Sequence, residues 1–212
     1  DACQAILGAQ DGKQAGTWGL TGAFSLHPLK NINVWADGGI VTTNDEAIYR
    51  HLLLLRNHGL SDRDTVELLG FNSRLDTIQA VVGNWLLPQA DFIAQTRINN
   101  AGYLDQGLSP IPGIQIPERS HRNRLVYHLY IVFAESRDDL LNFCLERGVA
   151  AKIHYPVPIY RQPALSSLGH TVGDFPVSDW LATQSISFPC DQHLNSDQLD
   201  HIIEVVADFY SS

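Results

Sequence analysis

Two short β-prone segments bracket a loop that contains Lys30, and this arrangement constrains the local fold more tightly than any other feature. Residues 18–24 and 39–43 are flanked by glycines, and we predict that both form buried strands. The loop between them carries Pro28 and a pair of glycines, which favour unusual backbone angles. A lysine held on such a loop among apolar neighbours is a candidate nucleophile for a carbonyl carbon, although most loop lysines are solvated surface charges.

The sequence after this loop predicts three helices. The first covers residues 45–57, with Asn44 as its N-cap and acidic residues in its first turn. The second covers residues 73–87, where apolar side chains fall on one face and a proline interrupts the pattern. Looser apolar spacing predicts a third helix over residues 91–108.

Residues 109–123 are rich in proline and polar side chains, and we predict that they connect two structural units. The elements predicted after this connection are strand 125–133, helix 137–147, strand 149–154, a helix near Val177, strand 185–189 and helix 196–210. Asn195 and Gln198 form a capping-box pattern at the start of the last helix. Alternating strands and helices indicate an α/β protein, with a first domain of residues 1–108 and a second of residues 109–212.

Charge and cysteine content limit the classes of partner. The formal net charge is −9, which disfavours nucleic acid and anionic membranes as partners. Hydrophobic residues make up 44% of the chain and charged residues 17%, so a core can be buried. The three cysteines form no CxxC pair and the histidines form no HExxH pattern. We therefore predict no metal site, and reduced thiols in a cytoplasmic protein.

Several sequence blocks resemble the DegT/DnrJ/EryC1/StrS aminotransferase family. The segment around Lys30 is similar to the family's lysine segment, and the other blocks follow in the family's order over essentially the whole chain. The matching blocks are DACQAILGA (1–9), FSLHPLKN (24–31), DGGIVTTND (37–45), RNHG (56–59), GFNSRLDTIQA (70–80) and KIHYPVPIYRQPA (152–164).

The resemblance implies a pyridoxal 5′-phosphate (PLP) dependent transferase of the aspartate aminotransferase-like fold, fold type I. Residues 1–108 would be the C-terminal part of the large PLP-binding domain with its connecting helices, and residues 109–212 the small α/β domain. The chain begins with Asp1, contains no methionine and lacks the family's N-terminal phosphate loop. We therefore expect a truncated chain with uncovered edges of a parallel sheet, inactive by itself.

The resemblance also implies roles for individual residues. Lys30 would form the Schiff base with PLP and then move the substrate proton, and Asp1 would hold the ring nitrogen protonated. Gln4 would lie beside the ring, and Ser25 would donate a hydrogen bond to the phosphate. Asn72 would reach the phosphate of the neighbouring subunit's cofactor, which implies a homodimer with shared active sites.

Some of these residues have a second interpretation. Asn72 is also a candidate N-cap for the helix predicted to begin at Ser73, and both roles are compatible. His154 and Tyr155 lie in a block that lines the substrate side, or they close a buried strand, and the two interpretations have equal weight. For His27, a loop histidine that shapes the turn is the better interpretation.

We expect the intact enzyme to transfer an amino group, with glutamate as donor, to a keto carbon of a nucleotide-linked sugar. Such a reaction serves the synthesis of deoxyaminosugars for surface polysaccharides. A related PLP-dependent sugar dehydratase is a second hypothesis, but those enzymes carry histidine where this chain has Lys30. A third hypothesis is an inactive fragment or assembly partner that retains the dimer surface.

Overall fold

The computed structural model describes residues 1–211. Its strands are short, and every pairing between them within the described residues is antiparallel. The strands are β1 (Ala9–Gln10), β2 (Lys13–Gln14), β3 (Thr21–Ser25), β4 (Gly39–Thr43), β5 (Ile114–Gln115), β6 (Asn123–Arg124), β7 (Tyr130–Ala134) and β8 (Ser185–Phe188). The expected parallel pairing is therefore not seen in this part of the chain.

Six α-helices accompany the strands in the described chain, and none of these combines the length and apolarity needed to cross a membrane. They are α1 (Glu46–Leu55), α2 (Thr77–Leu86), α3 (Ala90–Leu108), α4 (Arg137–Glu146), α5 (Pro176–Gln184) and α6 (Ser196–Ser211). Short 3₁₀ turns occur at Leu87–Gln89, Ile159–Arg161 and Pro163–Leu168.

Local capping explains where the first two helices begin. The carboxylate of Asp45 accepts a hydrogen bond from the Ile48 amide at 3.0 Å, so Asp45 rather than the predicted Asn44 is the N-cap of α1. The helix predicted from residue 73 begins later, because Asp76 and Gln79 form a capping box at the start of α2.

The chain divides into two compact units, which are residues 1–95 with 120–128, and residues 96–119 with 129–211. This division differs from the predicted domains at two places. The first break falls inside α3, and the segment 120–128, which we name the return segment, belongs to the first unit. The predicted connection 109–123 is therefore shared between the units.

The first unit contains the sheets β2-β1-β6 and β3-β4. Its core lies beneath the loop between β3 and β4, where buried apolar side chains of this loop pack against α3. The cluster consists of Leu26, Ile32 and Val34 from the loop and Ala90 and Ile93 from α3. The prediction that β3 and β4 are both buried is wrong, because β4 pairs only with β3 among the described residues and Ile40 and Val41 are 41% and 51% exposed.

The second unit is built on the sheet β5-β7-β8. Helix α4 packs against β7, β8 and α6, and α5 packs against β7. The strand predicted over residues 149–154 is wrong, because only Lys152 pairs with Ser187 of β8. Pro156 and Pro158 follow closely and have no N–H group with which to extend a ladder.

The strand predicted over residues 125–133 is divided in the structure. Only Tyr130–Ala134 forms β7, in the second unit, whereas residues 125–128 belong to the return segment of the first unit. The largely apolar sequence of residues 125–133 therefore covers the end of the return segment and most of β7. The point of division is set by contacts with residues far away in the chain.

Candidate active site

Lys30 lies in a tight turn that follows the end of β3. Its backbone amide donates a hydrogen bond to the His27 carbonyl at 2.8 Å, and the Asn33 side chain donates to the Lys30 carbonyl at 3.4 Å. Leu26 and Ile32 on either side of the turn are buried, whereas Lys30 is half-buried. The apolar core thus anchors the loop at both ends and leaves the amine partly accessible.

Ser25 and His27 shape the same turn. The Ser25 hydroxyl oxygen accepts a hydrogen bond from the His27 amide at 3.3 Å, and His27 Nδ1 accepts one from the Leu29 amide at 3.2 Å. The first bond uses a lone pair of the hydroxyl oxygen, so the Ser25 O–H remains able to donate to an anion. The contacts of His27 agree with the interpretation that it shapes the turn.

Asp1 and Gln4 lie in the segment that runs beside β3. The Ala2 amide donates a hydrogen bond to the Ala23 carbonyl at 2.9 Å, which brings this segment to the strand that leads to Ser25. The Asp1 carboxylate accepts a hydrogen bond from the Cys3 amide at 2.8 Å, and both Asp1 and Gln4 are exposed. The structure therefore places Asp1 next to β3 with an accessible carboxylate.

Asn72 lies elsewhere in the first unit, in the loop between α1 and α2. It forms an isolated bridge with Asn57, and its side-chain oxygen accepts a hydrogen bond from Arg74 Nε at 3.2 Å. The interpretation of Asn72 as an N-cap is wrong, because α2 begins at Thr77 after Asp76. Its side chain is exposed and available to a ligand outside this unit.

His128 is a neighbour of Lys30 that the sequence analysis did not identify. Its Nε2 atom lies 3.4 Å from Lys30 Nζ, and both side chains are partly buried. The two residues are 98 positions apart in the chain. In the sequence, His128 stands in the middle of a predicted strand, so no local pattern separates it from an ordinary strand residue.

His154 and Tyr155 belong to the second unit, so their surroundings are described separately from those of Lys30. His154 Nδ1 lies 2.9 Å from the Ser187 hydroxyl, and the Tyr155 ring is 64% exposed and stands edge-on to the His154 ring. Both residues line an open pocket of about 520 Å³. Partial burial, and then the positive charge of Lys152, lower the pKa of His154 below its ordinary value.

Comparison with known proteins gives a consistent family assignment. A model of the DegT/DnrJ/EryC1/StrS aminotransferase family matches residues 1–207. The chain is 36% identical over 203 residues to the erythromycin biosynthesis sensory transduction protein EryC1 of Saccharopolyspora erythraea, covering 96% of this chain and 56% of that protein. It is 34% identical over 209 residues to a dTDP-3-amino-3,4,6-trideoxy-alpha-D-glucose transaminase of Streptomyces venezuelae, covering 99% and 55%.

The fold is also similar to that of solved structures. The crystal structure of S. venezuelae DesV in complex with a ketimine intermediate matches with a TM-score of 0.95 and 33% identity. This match covers 100% of the chain and 57% of DesV, so the chain spans little more than half the length of these relatives. The comparisons confirm the predicted fold class, and aminotransferases of the matching family depend on PLP.

Proposed function

Since the chain belongs to the DegT/DnrJ/EryC1/StrS aminotransferase family, we propose that it is part of a PLP-dependent enzyme that aminates a nucleotide-linked keto-sugar. Glutamate would be the amino donor, and the product would serve deoxyaminosugar and surface polysaccharide synthesis. The observation that carries this proposal is the half-buried amine of Lys30 on an anchored turn directly after Ser25. The functions of relatives, such as the S. venezuelae transaminase, support the substrate class.

The residues near the end of β3 fit PLP by their chemistry. When bound, PLP supplies an aldehyde that reacts with amines and a ring that accepts electrons. Lys30 offers the primary amine, Ser25 a hydroxyl donor for the phosphate, and Asp1 a carboxylate for the ring nitrogen. The hydrogen bond from the Ala2 amide to the Ala23 carbonyl holds the segment that contains Asp1 against β3, which carries Ser25. We expect the exposed amide of Gln4 to contact the ring from the same segment.

Each of these side chains would have a distinct task in amino transfer. The Lys30 Nζ atom would bind the cofactor between turnovers, and it would then carry the proton that the donor amino acid releases from its α-carbon. The Asp1 carboxylate would hold a proton on the ring nitrogen through a charge-assisted hydrogen bond. The Ser25 hydroxyl would orient the phosphate and thereby fix the position of the reacting carbon relative to Lys30.

The pocket beside His154 and Tyr155 supports a role in binding the sugar nucleotide. An exposed aromatic ring stacks on planar or apolar faces of a ligand, and the Tyr155 ring borders this pocket. The Nδ1 atom of His154 is engaged by Ser187, so its Nε2 atom can form one hydrogen bond with a sugar hydroxyl, as donor or acceptor according to the tautomer. The lowered pKa of His154 favours the neutral imidazole, which both donates and accepts.

The surface of α2 supports a homodimer with shared sites. Ile78, Val81 and Trp85 are 70%, 62% and 69% exposed on this helix, and such apolar groups are typical of protein interfaces. Asn72 is exposed in the loop that precedes α2. We expect α2 to face the partner and Asn72 to reach the partner's cofactor phosphate. Light scattering should then show a dimer, and Trp85→Glu should yield monomers.

Covalent mapping of the cofactor tests the proposal. The chain has only three lysines, so borohydride reduction of the protein with PLP followed by peptide mass spectrometry distinguishes them. We expect the reduced adduct on Lys30, and an adduct on Lys13 or Lys152 would contradict the assignment. For the full-length enzyme with PLP, an unchanged absorption spectrum after addition of L-glutamate would contradict transamination, and a deoxygenated sugar formed without amino transfer would indicate a dehydratase instead.

A further inference from the structure

We propose that His128 is a second functional residue at Lys30, where its Nε2 atom receives the protons that Lys30 Nζ loses on bonding to a carbonyl carbon. The inference rests on the proposed function, in which Lys30 is the reacting amine. It is carried by the 3.4 Å separation of the two nitrogens and by the contacts that hold the return segment in place. A lysine ammonium has three donors and no acceptor, so Nε2 is the acceptor in this contact.

The return segment is attached to the first unit by contacts along its length. Arg122 forms a salt bridge with Asp11, and β6 pairs with β1. Arg124 donates a hydrogen bond to the Leu7 carbonyl at 2.6 Å and lies 3.7 Å from the carboxylate of Asp91. These contacts fix the start of the return segment, so the residues that lead to His128 are held in place.

A buried contact fixes the other end of the segment beside Lys30. Asn31, the next residue after Lys30, donates a side-chain hydrogen bond to the Val126 carbonyl at 2.9 Å. Asn31 and Val126 are 6% and 4% exposed, so water does not compete for this bond. Lys30 and Asn31 of the β3–β4 loop thus contact His128 and Val126 of the return segment.

The backbone between these contacts is strained. Tyr127 has a φ of 45°, in the left-handed region that a bulky residue rarely adopts. Such a conformation is energetically unfavourable and persists where the surrounding structure holds it. Strain of this kind is common where a side chain must be aimed at a site, and here it directs the chain from Val126 to His128.

The chemistry of imine formation needs a proton acceptor at this position. From the ammonium form, Nε2 first takes one proton and releases it to water. The neutral lysine amine then attacks an aldehyde, and the new N–C bond forms as the carbonyl π electrons move to oxygen. Both amine protons finally leave with that oxygen as water, and Nε2 of His128 carries each of them from nitrogen to oxygen. A separation of 3.4 Å is long for a hydrogen bond, but contacts of general bases often shorten only when the reactant is bound.

The test measures the reactivity of Lys30 without the cofactor. The chain is treated briefly with a small aldehyde and cyanoborohydride, which supplies the hydride that traps the imine, and the alkylated lysines are quantified by mass spectrometry. Lys13 is the internal reference in the same chain. His128→Gln keeps a hydrogen-bond acceptor but cannot take a proton, His128→Phe can do neither, and His121→Gln is a control at an exposed histidine of the same segment.

We expect both His128 variants to lower the ratio of Lys30 to Lys13 alkylation at least about tenfold, a cautious value against the roughly 10²–10⁴-fold of positioned acid–base groups. The control should leave the ratio unchanged. An unchanged ratio in His128→Phe, or in a folded His128→Gln, would overturn the proton-acceptor role. A reduced PLP adduct on Lys13 or Lys152 instead of Lys30 would contradict the proposed function itself, so the two failures are distinguishable.

Discussion

Asn31→Asp is expected to destabilise the first unit by an amount that depends strongly on pH. The wild-type side chain donates to the Val126 carbonyl in a site where Asn31 is 6% exposed. An aspartate of the same shape places a carboxylate against that carbonyl, and burial raises the pKa of such a carboxyl by up to about three units. At about 1.4 kcal/mol for each unit, the loss near neutral pH is about 3–4 kcal/mol.

The sign of the pH dependence follows from the same contact. Below the raised pKa the variant carboxyl is protonated, and its O–H can donate to the Val126 carbonyl as the native amide does. The difference in free energy of unfolding between variant and wild type should therefore shrink to about 1 kcal/mol near pH ~4, and grow as the pH rises.

Urea unfolding followed by tryptophan fluorescence measures this difference. Three of the four tryptophans, Trp18, Trp35 and Trp85, lie in the first unit and report on it. Asn33→Asp is the matched control, because Asn33 is only half-buried and its bond to the Lys30 carbonyl is long at 3.4 Å. A loss below about 1 kcal/mol at both pH values would refute the role of the Asn31 contact.

Three further predictions concern the candidate site. In the full-length enzyme, Lys30→Arg should abolish turnover and the reduced PLP adduct but leave the circular dichroism spectrum unchanged, because arginine stays protonated and forms no working imine. In the same full-length enzyme, Asp1→Asn should slow half-transamination more than about tenfold, yet keep the urea midpoint, since the amide oxygen can still accept from the Cys3 amide. Lys152→Met should raise the pKa of His154, measured by NMR titration of its ring protons, because a nearby positive charge is removed.

Local sequence signals predict those elements that depend on local contacts. The last helix is confirmed from its first turn, where Asn195 and Gln198 exchange the two capping-box hydrogen bonds that their spacing indicates. The helix predicted over residues 137–147 is also confirmed and ends one residue earlier. In both cases the decisive interactions lie within one helical turn, so the sequence pattern carries nearly all of the information.

Elements that depend on remote partners were predicted less well. The pattern of residues 125–133 does not indicate that its first part stays with β6 while Tyr130 begins β7. Residues 149–154 were predicted as a strand, but a ladder requires a partner along its whole length and only Lys152 has one. The motif around Lys30 likewise locates the lysine turn, whereas the contact with His128 joins residues 98 positions apart and has no local pattern.

In each unit, a candidate functional side chain contacts a residue from a distant part of the chain. In the first unit, Lys30 contacts His128. In the second unit, Ser187 exchanges two backbone hydrogen bonds with Lys152, at 2.8 and 3.0 Å. The Ser187 hydroxyl contacts the ring of His154, which lies two residues after Lys152. The strand β8 that carries Ser187 is buried throughout, so the position of this hydroxyl is fixed by the sheet. Substitutions that remove these partners should therefore misorient the candidate groups while the motifs that identify them remain intact, because orientation accounts for a large part of catalytic rate.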